Sequence, residues 1–158
     1  MSKAFTRESD DAEDLPVVRQ PLPPGVRNYI TREGADRLQQ RMTGLLEKKE
    51  AVAGSDSEKR EVEAAIRTLR QILDSVVVAE IPADREKVAF GAKVTIRRSN
   101  GEEESYRIVG VDETDLENGA ISWLSPLARA LMSKRAGDKV RFRAPAGEED
   151  LMIRSVGY

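Results

Sequence analysis

I-S-W-L-S-P-L-A-R-A-L, residues 121 to 131, is the stretch from which the fold can be read. Ser125 followed by Pro126 spells a helix start. The serine oxygen can accept an N–H left without a partner at a helix N-terminus, and proline at the first helical position gives up nothing. Before it, Ile121 and Trp123 alternate with Ser122, as in a half-buried strand. After it, Leu127, Leu131 and the small Ala128 and Ala130 give a short helix with one apolar side. A strand running into a capped helix predicts a junction held rigidly at the surface, which is a good place to bind a partner.

Outward from that junction the pattern is β-rich. Ala92, Val94 and Ile96 alternate with Lys93, Thr95 and Arg97, Asn100-Gly101 is a hairpin turn, and Tyr106 and Ile108 continue on the return strand. A polar loop over residues 112–119 leads into the opening stretch. Beyond it, Gly137-Asp138 turns into Val140 and Phe142, Pro145-Ala146-Gly147 turns again, and Leu151, Ile153 and Val156 finish the chain. About five antiparallel strands with one short helix predict an α+β domain over residues 81–158. Arg97, Arg98, Lys134, Arg135, Lys139, Arg141 and Arg143 are candidates for a basic face, although strand alternation points most of them outward in any case.

Residues 29–80 carry a helical pattern twice, running as far as Val78 and ended by Pro82. Thr31 caps a first helix on which Leu38, Met42, Leu45 and Val52 recur at near-heptad spacing. Gly54 stops it, and Ser55-x-x-Glu58 fits a capping box for a second helix with Val62, Ile66, Leu69, Leu73 and Val76 on one stripe. Two facing stripes joined by a short turn predict an antiparallel helical hairpin, with arms of about 33 Å at 1.5 Å per residue. Arg60, Arg67 and Arg70, with Glu47, Lys48, Lys49 and Glu50, read as its solvated faces. The tip holds Asp56, Glu58 and Glu61, most simply partners of a helix dipole and secondarily candidate metal ligands.

Residues 1–28 hold Glu8, Asp10, Asp11, Glu13 and Asp14, then Pro16, Pro21, Pro23, Pro24 and Gly25, and read as an acidic, proline-rich, disordered or loosely extended leader. Composition narrows the chemistry. With no Cys and no His among 158 residues, disulfides, thiolate or imidazole metal sites and His-activated nucleophiles are excluded. A balance of 26 Lys and Arg against 28 Asp and Glu argues against a general phosphate-backbone binder. No long apolar run or signal sequence is visible, so a cytoplasmic protein with no membrane contact is expected.

The order of motifs resembles a known family. A capped helical hairpin preceded by N-Y-I-T-R-E-G at 28–34 is followed by V-A-F-G-A-K-V-T-I at 88–96, Y-R-I-V-G at 106–110, the 121–131 stretch, and A-P-A-G-E at 144–148. Together these look like the GreA/GreB family of bacterial transcription elongation factors. The resemblance implies a C-terminal domain of FKBP-like fold that docks on RNA polymerase at the mouth of its secondary channel, with the hairpin entering that channel. Family docking residues fall here on Ser125, Pro126, Leu127, Ala128 and Arg129. Leu124 stands where the family usually has Asp or Asn.

The hairpin tip departs from the family. Members that stimulate transcript cleavage carry G-D-x-S-E-N-A-E-Y, whose Asp and first Glu help hold a second Mg²⁺ at the polymerase active site, consistent with the preference of Mg²⁺ for carboxylate oxygen. Here residues 54–62 read G-S-D-S-E-K-R-E-V: Ser55 replaces the Asp, Asp56 sits one residue late, and Lys59 and Arg60 add positive charge. The arms are about ten residues shorter than the family's, roughly 15 Å of reach. Short hairpins of this sort also resemble the regulator of nucleoside diphosphate kinase. The expectation is a non-enzymatic, monomeric regulator that docks on RNA polymerase through Leu124, Ser125, Pro126, Leu127, Ala128 and Arg129 and modulates elongation. DNA or RNA would be met only indirectly in the elongation complex, and Mg²⁺ only within the polymerase. The alternatives are an active cleavage factor using Asp56 and Glu58, and a binding protein like the kinase regulator.

Overall fold

The computed structural model describes residues 21–158; most of the expected leader, residues 1–20, lies outside the described residues. The remainder of that leader has a defined shape. A turn closed by the Val26 N–H on the Pro23 carbonyl at 3.2 Å, with Gly25 at φ +77°, feeds a short strand. Asn28, assigned to the leader from the sequence, is buried and opens that strand, β1 (Asn28–Ile30).

Helices α1 (Arg32–Ala51) and α2 (Asp56–Ser75) form the hairpin. Each start is capped as the sequence predicts: Thr31 Oγ1 accepts from Gly34 N at 3.0 Å, and Ser55 Oγ from Glu58 N at 3.3 Å. The stop of α1 comes earlier than Gly54. Val52 is extended and closes the last turn through its N–H on the Lys48 carbonyl, so the helix ends on backbone geometry and Gly54 lies in the connection. On α2 the buried residues are Val62, Ile66, Leu69 and Ile72; Leu73, placed on the stripe by a strict heptad, is half-buried. The stripe on α1 is shallower, with Leu38, Met42 and Leu45 half-buried.

Residues 76–78 are not helical. Three consecutive β-branched valines form β2 (Val76–Val78), which pairs in parallel with β1, Asn28 opposite Val76 and Ile30 opposite Val78. The helix therefore stops at Ser75, well before Pro82, because the strand pairing competes for the same backbone groups.

The β domain contains β3 (Lys93–Arg97), β4 (Glu103–Val109), β5 (Ala120–Ser122), β6 (Lys139–Ala144) and β7 (Gly147–Gly157), in the order β5-β4-β3-β7-β6. Helix α3 (Pro126–Leu131) packs Ala128 and Leu131 into a core with Val88, Ala92, Val94, Ile96, Ile108, Ile121, Val140, Leu151 and Ile153. This is the expected α+β architecture, with one difference in the sheet. β5 runs parallel to β4, since residues 110–119, which include a 3₁₀ turn at Val111–Glu113, double back between them. A second irregularity explains why Ile153 and Val156, three apart, both face inward. Thr95 pairs with Ser155 but Ile96 pairs with Ile153, so Arg154 is the extra residue of a β-bulge.

The candidate basic face is largely neutralised by cross-strand and loop carboxylates. Arg141 meets Asp150, Arg143 meets Glu148, Arg135 meets Asp84 and Glu86, and Arg98 meets Glu104 and Glu149. Among the described residues no helix is long and apolar enough to cross a membrane.

Candidate functional site

The 124–129 stretch is clamped at both ends. On its entry side Trp123 N–H extends the sheet by bonding the Val109 carbonyl at 2.9 Å, Leu124 N–H bonds Ser122 Oγ at 3.1 Å, and Ser125 N–H bonds the Ser122 carbonyl at 2.9 Å. Ser125 Oγ then caps α3 by accepting from Ala128 N at 3.2 Å, with Pro126 at the first helical position. On the exit side Ser133 takes the left-handed conformation at φ +69°, and its N–H bonds the Val88 carbonyl at 2.8 Å while Val88 N–H bonds Lys134 O at 2.8 Å. Ala128 is fully buried, whereas Pro126 and Arg129 are exposed and Leu124, Ser125 and Leu127 are partly so. The result is a rigid edge presenting a proline ring and a guanidinium.

At the hairpin tip Asp56, Ser57, Glu58 and Glu61 are all exposed. Ser55 serves as the α2 cap, which commits its oxygen to backbone. Glu58 lies over Gly54, whose absent Cβ would come within 2.4 Å of Glu58 Oε2, and Ser57 Oγ donates to Glu61 Oε1 at 3.4 Å. Lys49 and Glu63 pair across the two arms at 3.4 Å. Among the described residues no three acidic side chains come together in an arrangement able to hold a metal ion. The tip is about 30 Å from the hairpin base, the length of either 20-residue arm.

Two features at the hairpin base are absent from the sequence reading. The first is a ring cluster. Tyr29 from β1, Phe90 from the loop before β3 and Trp123 beside the 124–129 stretch meet with centroids 5.6 to 6.3 Å apart, two of the three contacts edge-to-face. The second is Glu113, whose side chain is 1% exposed. Its Oε2 accepts from Thr31 N and from Gly110 N, both at 2.9 Å, and its Oε1 accepts from the Thr31 hydroxyl, with Arg37 at 3.7 Å. In a capping box the third helical residue is Glu or Gln and returns its side chain to the cap N–H. In α1 that position is Gly34, and Glu113 supplies the carboxylate from 82 residues away. Around it Asn28 Nδ2 donates to Asp112 Oδ2 at 2.8 Å, and Glu33 pairs with Arg107 at 3.2 Å. The only local hint in the sequence was a capping threonine followed by glycine where a glutamate would be expected.

A rod of two helices fixed at its base to a curled β domain, with a clamped, solvent-facing helix start on that domain, defines a helical-hairpin and β-domain protein. Residues 83–158 match the family model for the C-terminal region of the transcription elongation factors GreA/GreB. The chain is 36% identical over 154 residues to transcription elongation factor GreB of Neisseria meningitidis serogroup A, covering 84% of this chain and 94% of that protein. It is 47% identical over 100 residues to GreB of Pseudomonas aeruginosa, covering 63% of this chain and 60% of that protein. The solved structure of the GreA factor homolog 1 (Gfh1) protein of Thermus thermophilus is 23% identical, with a TM-score of 0.42 over 84% of this chain and 100% of that one. The chain belongs to the GreA/GreB family of transcription elongation factors. In the Neisseria alignment 84% of 158 residues is about 133, so about 21 of the 154 aligned positions have no counterpart in this chain.

Proposed function

We propose that this chain is an accessory factor of RNA polymerase that docks near the secondary channel through Leu124, Ser125, Pro126, Leu127, Ala128 and Arg129. In this reading it modulates elongation without stimulating transcript cleavage and is not itself an enzyme. The observation that carries the reading is the contrast between its two ends. The docking edge is rigid, with Pro126 and Arg129 exposed on α3, and Arg129 has no ion-pair partner among the described residues. The tip acids do not converge. Hard divalent cations require several oxygens held together, and Asp56, Glu58 and Glu61 offer only separate exposed carboxylates on an arm of about 30 Å. The resemblance of residues 121–131 to the family's docking segment, and the match of residues 83–158 to the family's C-terminal region, support the same view.

A stalled elongation complex tests both halves at once. The wild-type protein should bind it, Arg129→Glu and Pro126→Ala should each weaken binding about tenfold, close to 1.4 kcal/mol, and the transcript should keep its length. Equal binding by wild type and variants overturns the docking residues. Transcript shortening that Glu58→Ala abolishes would make the protein an active cleavage factor instead.

A further inference from the structure

We propose that Glu113 is the positioning residue that sets the direction in which the hairpin leaves the β domain, and so where the tip falls once the 124–129 stretch is docked; that last clause rests on the function proposed above. The side chain belongs to the β domain, on the 3₁₀ turn after β4, yet two of its three hydrogen bonds go to Thr31 at the start of α1. The third, from Gly110 N, ties the same carboxylate to its own turn. One buried group thus holds the first turn of the rod and the end of β4 together. A carboxylate at a helix N-terminus also interacts favourably with the free N–H groups there.

Space at this point has been made by two glycines, one from each part. A Cβ on Gly34 would stand 1.9 Å from Glu113 Oε1, and a Cβ on Gly110 would stand 2.1 Å from the Tyr29 carbonyl oxygen. Glycine within a helix is unfavourable relative to alanine, so its presence in the first turn of α1 is explained by the approach of Glu113. Among the flanking links, the buried Asn28, which donates to Asp112 at 2.8 Å, and the rings of Tyr29, Phe90 and Trp123 brace the same base, while the pair of Glu33 and Arg107 is a weaker guide. Glu33 and Arg107 are 60% and 40% exposed, and exposed pairs hold geometry poorly. Leverage makes the base angle matter: a rotation of about 10° at the base of an arm of about 30 Å moves the tip by about 5 Å.

The chain has no cysteine, so the full-length protein carrying Ser57→Cys at the tip and Ser99→Cys in the β3–β4 loop takes two spin labels at defined, exposed places. Pulsed EPR should give one narrow tip-to-domain distance distribution. Glu113→Gln keeps the size but turns an amide NH₂ toward N–H donors, and Gly34→Ala raises helix propensity while displacing the carboxylate. Each should widen the distribution about twofold, the spread given by a base loosened by about 10° on that lever. Helix content by circular dichroism should be unchanged, and Thr31→Ser, which keeps both the cap and the hydroxyl, should retain the narrow distribution. A wild-type width in both variants overturns the proposal. If Glu113→Gln fails to fold, Gly34→Ala decides alone, because its substitution favours the helix. On a stalled elongation complex both variants should bind as wild type does and lose the effect on elongation. Failure of the wild type to bind would overturn the docking reading and leave the EPR result standing.

Discussion

Arg98 shows how much a single side chain can tie together at the residue scale. It lies just past β3, donates to Glu104 of β4 through Nε at 3.0 Å, and reaches Glu149 of β7 through Nη1 at 2.6 Å, while the Tyr106 hydroxyl donates to the same Glu104 oxygen at 2.5 Å. Arg98 first and Tyr106 second hold the Glu104 carboxyl below its ordinary value of 4.5, and Glu104 in turn raises the pKa of Arg98. Glu33 is lowered as well, first by a hydrogen bond from its own backbone N–H at the helix start and, more weakly, by Arg107. Because these folded-state values lie below the unfolded ones, their stabilisation is complete above about pH 4.5 and is lost as pH falls through the depressed values. Urea unfolding should therefore show stability declining below pH 4.5. Glu104→Gln should cost about 1 kcal/mol at pH 7, a charge-assisted bond discounted for partial exposure, and should make the decline below pH 4.5 shallower.

At the scale of elements the two arms are unequal. α2 buries four apolar side chains whereas α1 buries only Gly34, and the deepest of the four, Leu69 and Ile72, lie toward the base. Leu69→Ala should cost 2–5 kcal/mol, in the range of a buried leucine truncation. Leu46→Ser, at an exposed position near the tip, should stay within about 0.5 kcal/mol. Amide hydrogen exchange should show protection falling from base to tip along both helices. The caps of all three helices were legible because each depends on a residue and its neighbour three positions on. The ends of α1 and α2 were not. Val52 closes one through backbone geometry, and the other yields to a parallel strand whose partner lies about fifty residues earlier.

For the whole molecule, the core cluster lies entirely between residues 88 and 153 and draws nothing from the hairpin. The hairpin, by contrast, takes its α1 cap partner from the β domain. Dependence should then run one way. Residues 83–158 expressed alone should melt cooperatively with a dispersed NMR spectrum, while residues 21–82 alone should lose much of their helix content, since a hairpin of two 20-residue arms with a shallow seam is marginal without tertiary support. Cooperative, equally stable folding of the isolated hairpin would contradict this.

What the sequence determined by itself were the features written in short windows. These are the hairpin from two near-heptad stripes, the strands from alternation, the Ser125-Pro126 helix start, and the family likeness from motifs in order. The capped strand-to-helix junction is itself a local pattern, and the family likeness is what made residues 124–129 docking candidates. Only the tertiary structure decided that Glu113, read as part of a polar loop, is a buried carboxylate completing a cap 82 residues away. It alone brought Tyr29, Phe90 and Trp123 together and turned β5 parallel to β4. Burial and pairing across such separations depend on where the chain returns in space, and no periodicity within a window records that.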